Sequence, residues 1–220
     1  MRSCLCPRRD RKLIGLFFLI VLVLVVAACG GEDEEDLDLW DISRSPDTPI
    51  IIPAGEPIVV GVSTALTGPI GVRGGEYRDA VVAGVERWKA ENGSLIKGHE
   101  IEVQAEDDGC TETDVTRGAA EQLLGREGLV GVIGPQCSGG SAAVIPIYAD
   151  AGIVAISGSA TRTDLTLTQP EGGFFFRTAY RNDLEGALIA SYLVSTHNAQ
   201  TVYLVFYLDP FGKDLSYIIQ

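Results

Sequence analysis

From Pro57 onward the apolar positions fall into short blocks that alternate between two periods. Ile58-Val59-Val60-Gly61-Val62 is a β-branched run of strand length and reads as a buried strand. A loop follows from Leu66 to Gly75. Tyr77, Val81, Val82, Val85 and Trp88 then recur at helical spacing, predicting a helix over 76–91 that Asn92-Gly93 stops. The strand expected over 100–105 ends at Asp107-Asp108-Gly109, and the helix expected over 114–126 turns Val115, Ala119, Leu123 and Leu124 inward. A third strand is predicted at 129–134. The next helix is predicted at 139–150, with Ser138 at its N-cap and Pro146 kinking or tightening its middle. Strands four and five are expected at 153–157 and 174–178.

Strands alternating with helices at this spacing predict an α/β fold, a doubly wound parallel sheet over residues 57–178. The near-continuous hydrophobicity of strands one, three and four agrees, because parallel sheets are covered on both faces. After Thr178 the pattern restarts, with a helix over 183–196, a strand over 201–208 and a turn at Asp209-Pro210-Phe211-Gly212. Residues 179–220 therefore read as the start of a second, incomplete lobe, and the chain as a truncated form of a longer one.

The N-terminus has a different texture. Arg2, Arg8, Arg9, Arg11 and Lys12 precede an uncharged run from Leu13 to Ala28, which predicts a secretory signal peptide over 1–28. Its 16 apolar residues fall short of a comfortable membrane span; an uncleaved anchor is the alternative. Val26-Ala27-Ala28-Cys29 resembles a bacterial lipobox, which makes Cys29 the lipidation site and places the mature chain outside the cytoplasmic membrane, tied to it by acyl chains. Residues 29–56 open with Gly-Gly-Glu-Asp-Glu-Glu-Asp after Cys29 and carry several prolines, so they read as a disordered acidic tether. Cys4 and Cys6 are lost with the signal. Cys110 and Cys137 remain, and in an oxidising compartment two thiols suggest one disulfide, with two free buried cysteines as the alternative.

The net charge of -13 argues against a nucleic-acid partner, since phosphate binding needs a basic face. Catalysis has little to work with. His99 and His197 are the only histidines, and Cys137-Ser138-Gly139-Gly140-Ser141 is not a nucleophile elbow. No dinucleotide fingerprint or P-loop is present, and no cofactor or metal site is expected. Ligands of open parallel sheets bind beyond the carboxyl ends of the strands. Three such ends are rich in Gly, Ser and Thr: Thr67–Gly75; Gly134–Ser141, including Gln136, Cys137 and Ser138; and Ser157–Thr163, including Ser159 and Thr161. Ser138 and Thr161 each stand near a helix start, where free amides and the dipole favour an anion such as a carboxylate.

Thr67-Gly68-Pro69, Glu106-Asp107-Asp108-Gly109-Cys110, Ile133-Gly134-Pro135-Gln136-Cys137-Ser138, Ile156–Thr161 and Asp209-Pro210-Phe211-Gly212 together resemble the type I periplasmic binding proteins, in the leucine/isoleucine/valine-binding branch that serves ABC importers. The resemblance runs from Pro57 to Gln220. It implies that Ser138 and Thr161 hold a ligand carboxylate and that Thr161 and the Ser159 carbonyl meet an α-ammonium. It implies that Cys110 and Cys137 form the branch's disulfide, and that Arg73 stands where the family places an aromatic near the ligand. The implied function is capture of an amino acid or similar small carboxylate for an ABC permease. The alternative is a sensor of the same fold that signals to a membrane partner. The family closes two lobes on its ligand, so a chain with one lobe and the opening of another is expected to bind weakly.

Overall fold

The computed structural model describes residues 42–45, 48–169 and 173–220. The signal segment, Cys29 and the acidic opening of the tether lie outside the described residues. Within the segment read as a tether, β1 (Ile42–Ser45) and β2 (Thr48–Ile50) pair antiparallel.

The main sheet is built from β3 (Ile58–Thr64), β4 (Leu95–Ile96), β5 (His99–Asp107), β6 (Leu129–Ile133), β7 (Val154–Ser157) and β8 (Phe175–Arg177), in the order β4-β5-β3-β6-β7-β8. All neighbours are parallel except β4 and β5. The short β4 was not anticipated. It forms a hairpin with β5 through Lys97-Gly98, both at positive φ, the geometry a two-residue hairpin turn demands.

The helices are α1 (Gly71–Asn92), α2 (Thr113–Leu124), α3 (Ser138–Asp150), α4 (Asn182–Ser195) and α5 (Pro210–Ile219). The chain moves outward from β3 to β5 and then back across β3 to β6. With right-handed crossovers that reversal puts α1 on one face of the sheet and α2 and α3 on the other. The second face is the dense one. Val59, Ala120, Leu123, Leu129, Val132, Val144, Tyr148, Ile153, Ala155, Leu165 and Phe175 are buried together there.

Four expectations are corrected. Helix α1 begins at Gly71, not at residue 76, so Arg73 and Gly74 belong to its first turns. A Cβ on Gly74 would stand 1.6 Å from the Ala65 carbonyl oxygen, so glycine is what lets the helix start against the end of β3. On α1 Tyr77, Val81 and Val85 lie half-buried as expected but Val82 and Trp88 are exposed, and on α2 Ala119 and Leu123 are buried as expected but Val115 is exposed, with Thr116 and Ala120 buried in its place. Residues 201–207 form no strand, since none of the described residues offers a backbone for them to pair with. Asp209-Pro210-Phe211-Gly212 opens α5: Asp209 caps it by accepting from the Gly212 amide at 2.7 Å, with Pro210 in the first turn.

Candidate ligand site

The carboxyl ends of β3 and β6 flank the point where strand order reverses, the place where open sheets of this kind leave a crevice. The loops there are cross-tied below the crevice. Gly134, at φ 118°, sits so close to β3 that a Cβ would lie 2.1 Å from the Ser63 carbonyl oxygen. The peptide bond from Gly134 to Pro135 is cis. The Pro135 carbonyl accepts hydrogen bonds from Ser141 Oγ at 3.2 Å and Ser157 Oγ at 2.6 Å, and Ser157 Oγ in turn accepts from the Ala160 amide at 3.0 Å. Thr64 Oγ1 donates to Gln136 Oε1 at 2.9 Å.

Two aspartates extend this tying to the disulfide loop. Asp108 is fully buried and accepts from Ser63 Oγ at 3.0 Å and from the Cys110 amide at 2.9 Å. Burial pushes its carboxyl above the usual range despite those donors. Asp107 faces the first loop, accepting from the Leu66 amide at 2.9 Å and from Thr67 Oγ1. Burial is the largest single influence and raises its carboxyl, but the hydrogen bonds from Thr67, Leu66 and Gly109 together outweigh it and hold the group below the usual range. Cys110 and Cys137 are joined, with Cα atoms 5.1 Å apart, so the loops after β5 and β6 meet over the end of β3. Both aspartates stood in the sequence as the end of a strand; their carboxylates are what hold the loops in place.

Ser138 and Thr161 are brought together. Ser138 is the first residue of α3, and the extended Cys137 takes the N-cap position instead. The Ser138 hydroxyl therefore does not cap its own helix. It accepts from the amides of Thr161 and Arg162, each at 3.2 Å. Thr161 is buried behind it, and Thr161 Oγ1 has no hydrogen-bond partner among the described residues. An enclosed hydroxyl without a partner is costly.

A cleft of about 220 Å³ opens in front of Ser138, lined by Thr111, Gln136, Cys137, Ser138, Gly139, Ser159, Asp209 and Phe211. Ser138 and Gly139, whose amides open α3 and have no partner within the helix, line the cleft wall. Ser159 donates through Oγ to the Gln136 carbonyl at 2.6 Å, joining the second and third loops at the rim. A neighbouring cleft of about 520 Å³ shares Thr111 and Asp209 and runs between the loop at Ala65–Ile70 and Tyr207. Arg73 lines neither cleft and is exposed on α1.

Sequence reasoning missed two contributors. Tyr77, read as part of the packing face of α1, lays its ring over Gly158, and its hydroxyl accepts from the Gly158 amide at 2.8 Å. Phe211 reaches the cleft from the start of α5, while Pro210 packs on Gly139, where a Cβ would lie 3.2 Å from Pro210 Cγ. The signal for Phe211 was present, since an Asp-Pro pair is a helix start that fixes where the next side chain projects.

This sheet, its reversal point and its loops at the carboxyl edge are those of a solute-binding lobe, and the sequence places it in a family. Residues 57–217 match the periplasmic binding proteins, and the chain belongs to that family. That family is one of periplasmic binding proteins and not of enzymes. Among curated relatives, an amino acid binding protein of Pseudomonas aeruginosa is 28% identical over 72% of the chain, and the Leu/Ile/Val-binding protein of Escherichia coli K12 is 27% identical over 75%. The chain spans 41% and 43% of those two proteins. Among solved structures, LivJ of Streptococcus pneumoniae, a branched-chain amino acid transporter substrate binding protein in complex with isoleucine, matches 74% of this chain and 45% of its own, with a TM-score of 0.64 and 27% identity. A leucine binding protein from Thermotoga maritima has the same fold, with a TM-score of 0.61 at 21% identity over 74% of this chain and 44% of its own.

Proposed function

We propose that this chain is the receptor lobe of an exported lipoprotein, anchored through Cys29, that captures an amino acid or a similar small carboxylate and delivers it to an ABC permease. The observation that carries this reading is the meeting of Ser138 and Thr161 at the carboxyl edge of the sheet. Ser138 and Gly139 at the start of α3 line a cleft there, and behind Ser138 the Thr161 hydroxyl is buried without a partner among the described residues. The helix-start amides and the hydroxyls on this wall suit an anionic head group. The acidic and aromatic groups that enter from α5, Asp209 and Phe211, suit the rest of an amino acid.

The assay is thermal unfolding of the chain with millimolar L-leucine, L-isoleucine, L-valine, L-glutamate and 4-hydroxybenzoate. A ligand present at ten times its Kd stabilises by about 1.4 kcal/mol. One or more of these carboxylates raises Tm in the wild type, and Ser138→Ala removes the rise. A flat response across the whole panel contradicts the reading. Anchoring is checked separately, by incorporation of labelled palmitate that Cys29→Ser abolishes.

A further inference from the structure

The turn Ala160–Thr163 presents Thr161, and its peptide groups are held at both ends. In a trans peptide the carbonyl and the following N–H point in opposite directions. In the first group, Arg177 Nη1 donates to the Ala160 carbonyl at 3.2 Å while the Thr161 N–H donates to Ser138 Oγ at 3.2 Å. In the second, the Asn182 N–H donates to the Thr161 carbonyl at 2.8 Å while the Arg162 N–H donates to Ser138 Oγ at 3.2 Å. In the third, Arg177 Nη1 donates to the Arg162 carbonyl at 2.7 Å while the Thr163 N–H donates to Asp214 Oδ2 at 2.9 Å. Arg177 Nη2 adds the Thr163 carbonyl at 3.2 Å and Thr166 Oγ1 at 2.6 Å. The same Asp214 oxygen also accepts from Thr163 Oγ1 at 3.0 Å and Asn182 Nδ2 at 2.9 Å.

No one of these peptide groups can rotate without losing hydrogen bonds on two sides at once. The planar fork of Arg177 suits a row of carbonyls as a lysine ammonium does not. Arg177 stands at the end of β8, on the sheet, whereas Asn182 and Asp214 stand on α4 and α5. The turn is thus fixed to the sheet through one residue and to the opening of the second lobe through two others.

We propose that Arg177 is the positioning residue of the ligand site, with Asp214 and Asn182 as its counterparts on α5 and α4. Together they hold the Thr161 backbone in the binding arrangement before ligand arrives, and tie that arrangement to α4 and to α5, which carries Phe211. This rests on the reading of Ser138 and Thr161 as the carboxylate grip. The first test therefore uses no ligand.

Amide hydrogen exchange is measured on the 220-residue chain and its variants. In Arg177→Ala the amides of Thr161, Arg162 and Thr163 exchange at least tenfold faster, while those of Val60 and Val132 in the central strands do not change. Arg177→Lys recovers part of the protection. Asp214→Ala speeds Thr163 and Asn182 most. If Arg177→Ala does not fold, Thr166→Val, which removes a single acceptor, is read in its place and gives a smaller rise confined to the turn. Unchanged exchange in the turn, or a rise no larger than in the central strands, overturns the proposal. The second measurement titrates L-leucine: affinity falls at least tenfold in Arg177→Ala and returns in part in Arg177→Lys, and equal affinity in all three chains overturns it as well. Protected turn amides with no binding by the wild type locate the failure in the carboxylate reading, and the positioning role falls with it.

Discussion

Leu129–Ile133 and Leu204–Leu208 are both short runs of apolar, strand-forming residues, and the molecule treats them in opposite ways. The first lies between two parallel neighbours, with Leu129 and Val132 wholly buried. The second pairs with nothing among the described residues, and Val205 is 99% exposed. The same contrast separates residues 57–178 from residues 179–220. In the first region every strand has a partner and α2 and α3 seal one face. In the second, α4 and α5 pack on each other but leave Leu184, Leu188, Tyr192 and Tyr217 in solvent. Composition does not decide burial; the presence of a partner does.

The sharpest way to test that contrast is to truncate one apolar side chain on each side. Leu123→Ala, beneath Gly61 and Leu129, is expected to cost about 2–5 kcal/mol in urea unfolding. Val205→Ala is expected to change stability by less than about 0.5 kcal/mol. Equal costs would break the comparison.

Next in size is the bridge between the ordered loops. Replacing Cys110 and Cys137 together with serine should lower stability by about 2–4 kcal/mol, read as a fall in the urea midpoint. The exposed apolar residues of α4 and α5 should give no sign of it. A smaller effect belongs to the other region. Asp209→Ala removes the cap of α5 and should cost about 1 kcal/mol, seen as faster amide exchange in the first turn of that helix alone.

The smallest expected effect is a pH dependence. Burial raises the Asp108 carboxyl in the folded chain, so the folded state binds that proton more tightly than the unfolded one. Stability from this group is fully present below the ordinary value of 3.8 and is lost as pH rises through the raised value. Asparagine has no such dependence. The Tm of the wild type relative to Asp108→Asn should therefore be highest near pH 4 and decline as pH increases; a difference that grows toward neutral pH would contradict it.

The alternation of periods was enough to read the order of the parallel strands and the helices between them, because burial on both faces leaves runs such as Ile58–Val62 with little polar interruption. The pairing of Cys110 with Cys137 and the meeting of Ser138 with Thr161 were legible from the resemblance and from the positions of both pairs after strand ends. What escaped was set by close approach and by partners distant in sequence. Gly71–Gly75 looks like a loop by propensity, yet glycine there lets α1 begin against the Ala65 carbonyl. Tyr77 looks like packing, and its hydroxyl accepts from the Gly158 amide just after β7. Thr201–Leu208 has the pattern of a strand, and a pattern supplies no neighbour. The clamp on Ala160–Thr163 depends on Arg177, Asn182 and Asp214, which no local spacing connects.

The strand order carries a consequence for how this molecule comes to exist. The first strand of the sheet in the chain, β3, is also one of its innermost, and each of its flanks is completed only later: Ile58 waits for Ile101 and Val59 for Leu129. Such distant pairings make for slow folding. During synthesis, β3 must stay bare through the production of two crossovers, a sticky ribbon in need of shielding. Any factor that lengthens that interval, cold or crowding of unfinished chains, should reduce yield before it touches the stability of the finished fold.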